Sequence, residues 1–364
     1  MNLSDIFCQD KAVEKLSQAF ACGRTPHAYI FEGIDGIGKY TTAKAFTKLL
    51  LCMSPVKNDS CGKCESCKMF DADNHPDFHH IYKELVEFSS DAALRKKQPI
   101  DLPIDVIREF LIQKIQIRPS LSVSKVFVVS EAEKLNNASQ NALLKVLEEP
   151  PNKSFIILLC SKLENLLPTT KSRSQIVHFG PIGEERIIEK LHGNGVDKQQ
   201  AKYLARLSCG SIGQAELWAK LEPSFYESKK ELLEKLCKFK LVDAVDLAQW
   251  ISSSCSDLAE SWQKLKTNTS KSDISRQVKK VFVSILAAAF VDAMKISFAG
   301  DDEITNFDQP MQIKKIAQSY GQQNCAKMVE QCYETIRFID ASVNEKLIFE
   351  HLLLNCADSG IIKV

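Results

Sequence analysis

The chain carries almost no excess of charge: 47 Lys and Arg stand against 46 Asp and Glu, for a net +1. A protein that held nucleic acid through its bulk charge would carry a basic surplus, so that footprint is excluded for the chain as a whole. Local groups at Arg95-Lys96-Lys97 and Lys229-Lys230 remain, and solvated faces account for them equally well. No apolar run reaches bilayer length, the longest being near Val281 to Val291, so no membrane partner is expected. Asp5, Asp10 and Lys11 interrupt the N-terminal stretch, which argues against a secretory signal and makes a cytoplasmic location the expectation. Proline nearly vanishes from the last third, where Pro310 is the only one after Pro223, and glycine is sparse. With both breakers rare, the apolar spacing of Leu232, Leu236 and Phe239, then of Ile336, Ile339 and Val343, predicts an all-helical region. There is no internal repeat and no low-complexity tail.

A phosphate-loop pattern is present. Gly33-Ile-Asp-Gly36-Ile-Gly38-Lys39-Tyr40 fits GxxxxGK[ST] everywhere but at its last position, where a hydroxyl should reach Mg²⁺. The apolar run Ala28 to Phe31 precedes it, and Thr41 to Leu51 reads as a helix, which is the strand, loop, helix context the motif needs. Gly33, Gly36 and Gly38 let backbone N–H groups wrap a phosphate, and Lys39 adds a cation. Tyr40 cannot replace the Ser or Thr, because its phenol lies too far from its own backbone. Thr41 points about 100° further round the helix. Binding of ATP or bare phosphate is left open, hydrolysis is not expected, and a ligand-free Gly-rich turn is the plain alternative.

Thirteen cysteines in a chain expected to be cytosolic should be mostly reduced thiols. Four of them, Cys52, Cys61, Cys64 and Cys67, cluster with CxxCxxC spacing after a longer gap. Four thiolates suit a closed structural Zn²⁺ site, and sharing of Cys64 between two CxxC pairs argues against a simple redox dithiol. Incidental or redox-active thiols are the alternative. The other cysteines read as small buried hydrophobes.

The first half alternates strand-like runs, Tyr29 to Phe31, Phe78 to Ile81, Val126 to Val129 and Phe155 to Leu159, with helical patterns such as Ile104 to Ile115 and Ala138 to Leu147. This predicts an α/β fold with a mostly parallel sheet. The cysteine segment, about 52–75, is an insertion, and 84–103 reads as a mobile surface excursion. The expected domains are 1–182, a small helical unit over 183–222 interrupted at Gly210-Ser211, and a helical bundle over 223–364.

A nucleotide hydrolase also needs an Asp at the end of a second strand to hold Mg²⁺, with a Glu beside it to orient water. The run Val126 to Val129 ends instead in Ser130-Glu131, so Ser130 carries no charge where Asp is required. Glu131 survives in the water-orienting place, although an exposed strand-end carboxylate is the equal alternative. Along Asn141 to Leu147, apolar spacing points to packing, and Lys145 reads as solvated.

At this point the sequence resembles a family. Asn141-Ala-Leu-Leu-Lys-Val-Leu-Glu-Glu-Pro-Pro151, Leu167-Pro168-Thr169, Ser172-Arg173-Ser174, Pro26-His27-Ala28-Tyr29, His75-Pro76-Asp77 and the cysteine cluster look like those of bacterial clamp-loader AAA+ subunits. Asn344 to Leu354 resembles the family's last collar helix. The resemblance implies a RecA-like AAA+ domain with an inserted zinc module, a helical lid and a C-terminal collar. It implies gamma/tau and delta subunits as ring partners, with a sliding clamp and primed DNA, the DNA being an alternative partner for Lys145 that only the resemblance supplies. It also implies that Arg173, in a motif where Ser174 replaces Cys, projects into a neighbour's ATP site; the plain alternative is that Arg173 pairs with a carboxylate inside its own domain, since arginine forks serve carboxylates as well as phosphates. The motor branch would show Ser or Thr at Tyr40, Asp at Ser130 and an arginine at Gly213, so a stationary, ATPase-inactive arm is expected rather than the gamma/tau motor. A zinc-containing nucleic-acid-binding protein is the remaining alternative.

Overall fold

The computed structural model describes residues 1–95, 100–265, 269–341 and 345–360. Lys96 and Lys97 of the basic group, and Asn344 at the head of the expected collar helix, lie outside the described residues. The chain forms two compact units: Met1–Ile182 with Ser211–Gly213, and Gly183–Gly210 with the chain from Gln214 onward.

In the first unit the order is α1 (Asp10–Ala21), β1 (Ala28–Glu32), α2 (Lys39–Leu51), α3 (Glu65–Asp71), β2 (Phe78–Ile81), α4 (Ala92–Arg95), α5 (Ile104–Val106), α6 (Gln113–Ile115), β3 (Lys125–Val129), α7 (Asn137–Glu148), β4 (Ser154–Cys160), α8 (Pro168–Ser172) and β5 (Gln175–His178). The five strands form one parallel sheet in the order β2-β3-β4-β1-β5. This is the expected α/β arrangement around a parallel sheet. Every residue of β3 is buried, which is why its sequence runs apolar without alternation, as in parallel strands covered on both faces. Ile30, Phe127, Ile156 and Leu143 meet in the core.

Three details depart from what the sequence predicts. The edge strand β5 has a single buried residue, Val177, so its four residues offer no apolar signal. Residues 84–103 are anchored where described: Val86 and Leu102 are buried in the core, and Ser89 Oγ donates to Glu109 at 2.7 Å. Two apolar anchors spaced far apart among charges leave no readable period. The helix expected over Ile104 to Ile115 is continuous, but its middle, Ile107–Ile112, widens into a π turn.

The second unit contains α9 (Glu184–Gly193), α10 (Lys198–Leu207), α11 (Ile212–Ala219, whose first two residues count with the first unit), α12 (Phe225–Leu236), α13 (Ala244–Leu265), α14 (Lys271–Lys295), α15 (Pro310–Asp340) and α16 (Glu345–Gly360). The predicted interruption at Gly210-Ser211 is the break between α10 and α11. Gly321, at φ +70, kinks α15. Lys229 on α12 is wholly buried, and its Nζ donates to Asp308 at 2.6 and 2.8 Å. Tyr226 donates to the same carboxylate at 2.8 Å, and Lys229 Nζ sits 4.3 Å from the ring of Tyr203 on α10. Arg206, also on α10, donates to the Asp302 carbonyl at 2.7 Å. The side chains of α10 are thus tied to the segment that precedes α15.

Candidate functional site

The phosphate loop sits between β1 and α2. Gly36 and Gly38 take φ of +76° and +103°, values that favour glycine. Five successive carbonyls of the loop are met by donors of the chain itself. Lys39 Nζ donates to Gly33 O and, at 2.9 Å, to Ile34 O. Ser211 Oγ donates to Asp35 O at 2.6 Å, Gly213 N to Gly36 O at 2.7 Å, and Gln9 Nε2 to Ile37 O at 3.3 Å. The loop is therefore held in one shape from outside, with its lysine engaged.

Gly213, where the motor branch would carry an arginine, explains its own identity. A Cβ there would lie 2.8 Å from Gly36 O and 3.0 Å from Gly36 Cα. No side chain fits without moving loop backbone, so an arginine at this position is excluded by packing.

Tyr40 and Ser130, the two residues standing in for metal ligands, are joined by a residue that the sequence reading did not single out. His80 of β2 places Nε2 2.8 Å from Ser130 Oγ, while Nδ1 lies 3.4 Å from the Tyr40 hydroxyl. The two rings pack with centroids 4.7 Å apart. Burial, reinforced by Lys44, pulls the His80 imidazole down to about 4, so it is neutral near pH 7. Glu131 turns aside at φ +52°, pairing with Lys134 and with the buried Lys83 at 3.6 Å. Sequence offered no signal for His80, because its partners lie 40 and 50 residues away.

Between α2 and β2 the four cysteines converge, with all four Sγ atoms within 4.8 Å of one another. Cys52 Sγ is 3.9 Å from Cys64 Sγ, and Cys61 Sγ is 4.0 Å from Cys67 Sγ. Tetrahedral Zn–S bonds of about 2.3 Å require sulfur separations of about 3.8 Å, so the donor set fits a metal ion of that kind. The backbone N–H groups of Lys63 and Cys64 point at Cys61 Sγ at 3.5 and 3.3 Å. These bonds draw its thiol down to about 6, whereas burial pushes Cys52 and Cys67 up.

His75-Pro76-Asp77 anchors this segment. The Asp77 carboxylate is completely buried and accepts three backbone N–H bonds, from Ser120, Leu121 and Ser122, at 2.6 to 2.8 Å. His75 Nδ1 accepts from Asp77 N, while its Nε2 meets Ser66 Oγ at 2.9 Å, inside α3. One buried carboxylate thereby locks the cysteine segment to the approach to β3.

Arg173 follows α8. Its Nε and Nη2 both donate to Glu148 Oε1, at 2.7 and 2.6 Å, and Nη1 donates to Thr169 O at 3.1 Å. Arg173 thus pairs with a carboxylate of its own unit. Ser174 Oγ donates to Thr170 O at 3.0 Å, so the serine that replaces cysteine also caps α8. Lys145 is exposed on α7, while Leu143, Val146 and Leu147 are buried. No helix among the described residues is long and apolar enough to cross a membrane.

Comparison with known proteins gives a consistent result. A family model described as DNA polymerase III, delta subunit, matches residues 8–183, and its C-terminal counterpart matches 273–358. DNA polymerase III subunit delta' of Escherichia coli (strain K12) is 27% identical over 344 residues, 94% of this chain and 92% of the relative. The delta' subunit of Bacillus subtilis (strain 168) is 25% identical over 350 residues, 95% of each chain. Subunit tau of Escherichia coli is 30% identical, but over 52% of this chain and 27% of its own length. The tau likeness covers about half of this chain while the delta' likeness covers nearly all of it, and the two family models, both described as delta subunit, cover most of it between them: the chain belongs to the delta/delta' family of DNA polymerase III clamp-loader subunits.

Proposed function

We propose that this chain is a stationary, non-hydrolysing arm of a hetero-oligomeric clamp-loader ring. It works beside gamma/tau and delta subunits to open a sliding clamp and set it on primed DNA, and it lends Arg173 to the ATP of a neighbour. In this reading 1–182 is the AAA+ unit, 183–222 the lid and 223–364 the collar.

The observation that carries the proposal is the Tyr40, His80, Ser130 contact. Mg²⁺ wants near-octahedral oxygen ligation, and phosphoryl transfer relies on it to neutralise charge on the phosphates. Here a neutral imidazole bridges the two positions from which ligand oxygens should come. Engagement of Glu131 by two lysines disfavours the motor alternative further. The purified chain with ATP and Mg²⁺ is expected to show no turnover above the buffer rate. Sustained turnover near ~1 s⁻¹, the low end for ordinary enzymes, would reject the proposal.

The cysteine cluster is read as a structural Zn²⁺ site held by Cys52, Cys61, Cys64 and Cys67, where the ion would contribute folding energy. Elemental analysis should find close to one zinc per chain, lost in Cys61→Ser. Less than about half an equivalent after mild purification speaks for incidental thiols.

A further inference from the structure

The geometry assigns to Glu148 the task of positioning Arg173 so that one end of its guanidinium faces outward for an anion. The inference rests on the proposed role of Arg173. A guanidinium has five N–H groups. Glu148 Oε1 takes the Nε proton and one Nη2 proton, and Thr169 O takes one Nη1 proton. One N–H on Nη1 and one on Nη2 remain beyond these three bonds, apart from a long 3.5 Å contact of Nη1 with Ser172 Oγ. Two such groups form the fork that meets two phosphate oxygens at once. Glu148 therefore holds the side of the guanidinium while the outer end stays open, and a phosphate need not displace it.

The position of Glu148 supports this task over a purely structural one. It is the last residue of α7, where a carboxylate opposes the helix dipole, so helix stability does not call for an acid there. The pair is also partly solvated, with Arg173 35% and Glu148 49% exposed. Exposed pairs add little to folding, so removing the carboxylate should leave the chain folded. What it removes is orientation. An arginine that lies free in solvent must pay its rotamer entropy each time it meets the transferring phosphate.

The test uses the reconstituted ring at saturating clamp and primed DNA, with wild type, Arg173→Ala, Glu148→Ala and Glu148→Gln. Glu148→Ala is expected to lower the Arg173-dependent part of kcat roughly tenfold, with the KM for ATP nearly unchanged. Glu148→Gln should keep most of the rate, because the amide oxygen still accepts both N–H groups. In the free chain, the ¹⁵N signal of Arg173 Nε should be ordered in wild type and in Glu148→Gln, and motionally averaged in Glu148→Ala. A Glu148→Ala ring as fast as wild type, or faster, beside a slow Arg173→Ala ring overturns the positioning role and leaves Arg173 intact. An Arg173→Ala ring with wild-type kcat overturns the role of Arg173 itself.

Discussion

If Arg173 is lent to a neighbour's ATP as proposed, Arg173→Ala is expected to lower turnover at that site by ~10³-fold or more, the lower bound for arginine fingers in other phosphoryl-transfer systems. At about 1.36 kcal/mol per tenfold, that is about 4 kcal/mol of transition-state stabilisation. Ring ATPase as a whole should fall only by the share of that site, and clamp loading with it. The effect should be confined to kcat, since a cation that meets charge developing in the transition state contributes little to ground-state binding. Folding should be untouched, because the pair with Glu148 is half in water. Arg173→Lys should rescue poorly: an ammonium lacks the planar fork. Single-turnover hydrolysis in rings whose other sites are inactivated isolates the site. A rate within threefold of wild type there would remove Arg173 from the chemistry.

Lys229→Met should cost about 3–5 kcal/mol of stability in the second unit, the range for breaking a buried ion pair. Asp308 has a side chain only 4% exposed, and without Lys229 its remaining hydrogen-bond donor there is Tyr226. The double substitution Lys229→Met with Asp308→Leu should regain most of that loss, since matched apolar groups often replace such pairs at little cost. Urea unfolding followed by tryptophan fluorescence reads this unit alone, because Trp218, Trp250 and Trp262 all belong to it. A loss under 1 kcal/mol for Lys229→Met, or a double variant as weak as the single one, would show that the pair is not the anchor of Tyr203 and α12 that its burial suggests.

Much of the first unit was legible because its signals are local. Three of the five strands stand out as apolar runs, β2 reads as strand-like through Phe78 and Ile81, and the turn chemistry of Gly33 to Lys39 operates within a few residues of backbone. The same holds for the cysteine cluster, where CxxCxxC spacing brings three sulfurs together by a single turn and the start of α3. The edge strand β5 and the anchoring of Val86 and Leu102 were not legible, since one or two buried residues establish no period. In the sequence, His75-Pro76-Asp77 carries only a family resemblance. Its physical role depends on three N–H groups more than forty residues away.

By itself, the sequence determined that a tyrosine closes the phosphate-loop motif at position 40, that an uncharged serine stands at position 130 and that position 213 carries no side chain. These are statements about what each residue is, and they need no fold. Only the tertiary structure decided what surrounds these residues. The register that sets His80 against Val128 brings its ring to Ser130 at the end of β3, and α2 brings Tyr40 to the other side. Ser211 closes on Asp35 from 176 residues away, and Glu148 meets Arg173 across α7 and α8. Such pairings follow from strand order and packing, to which no window of neighbouring residues has access.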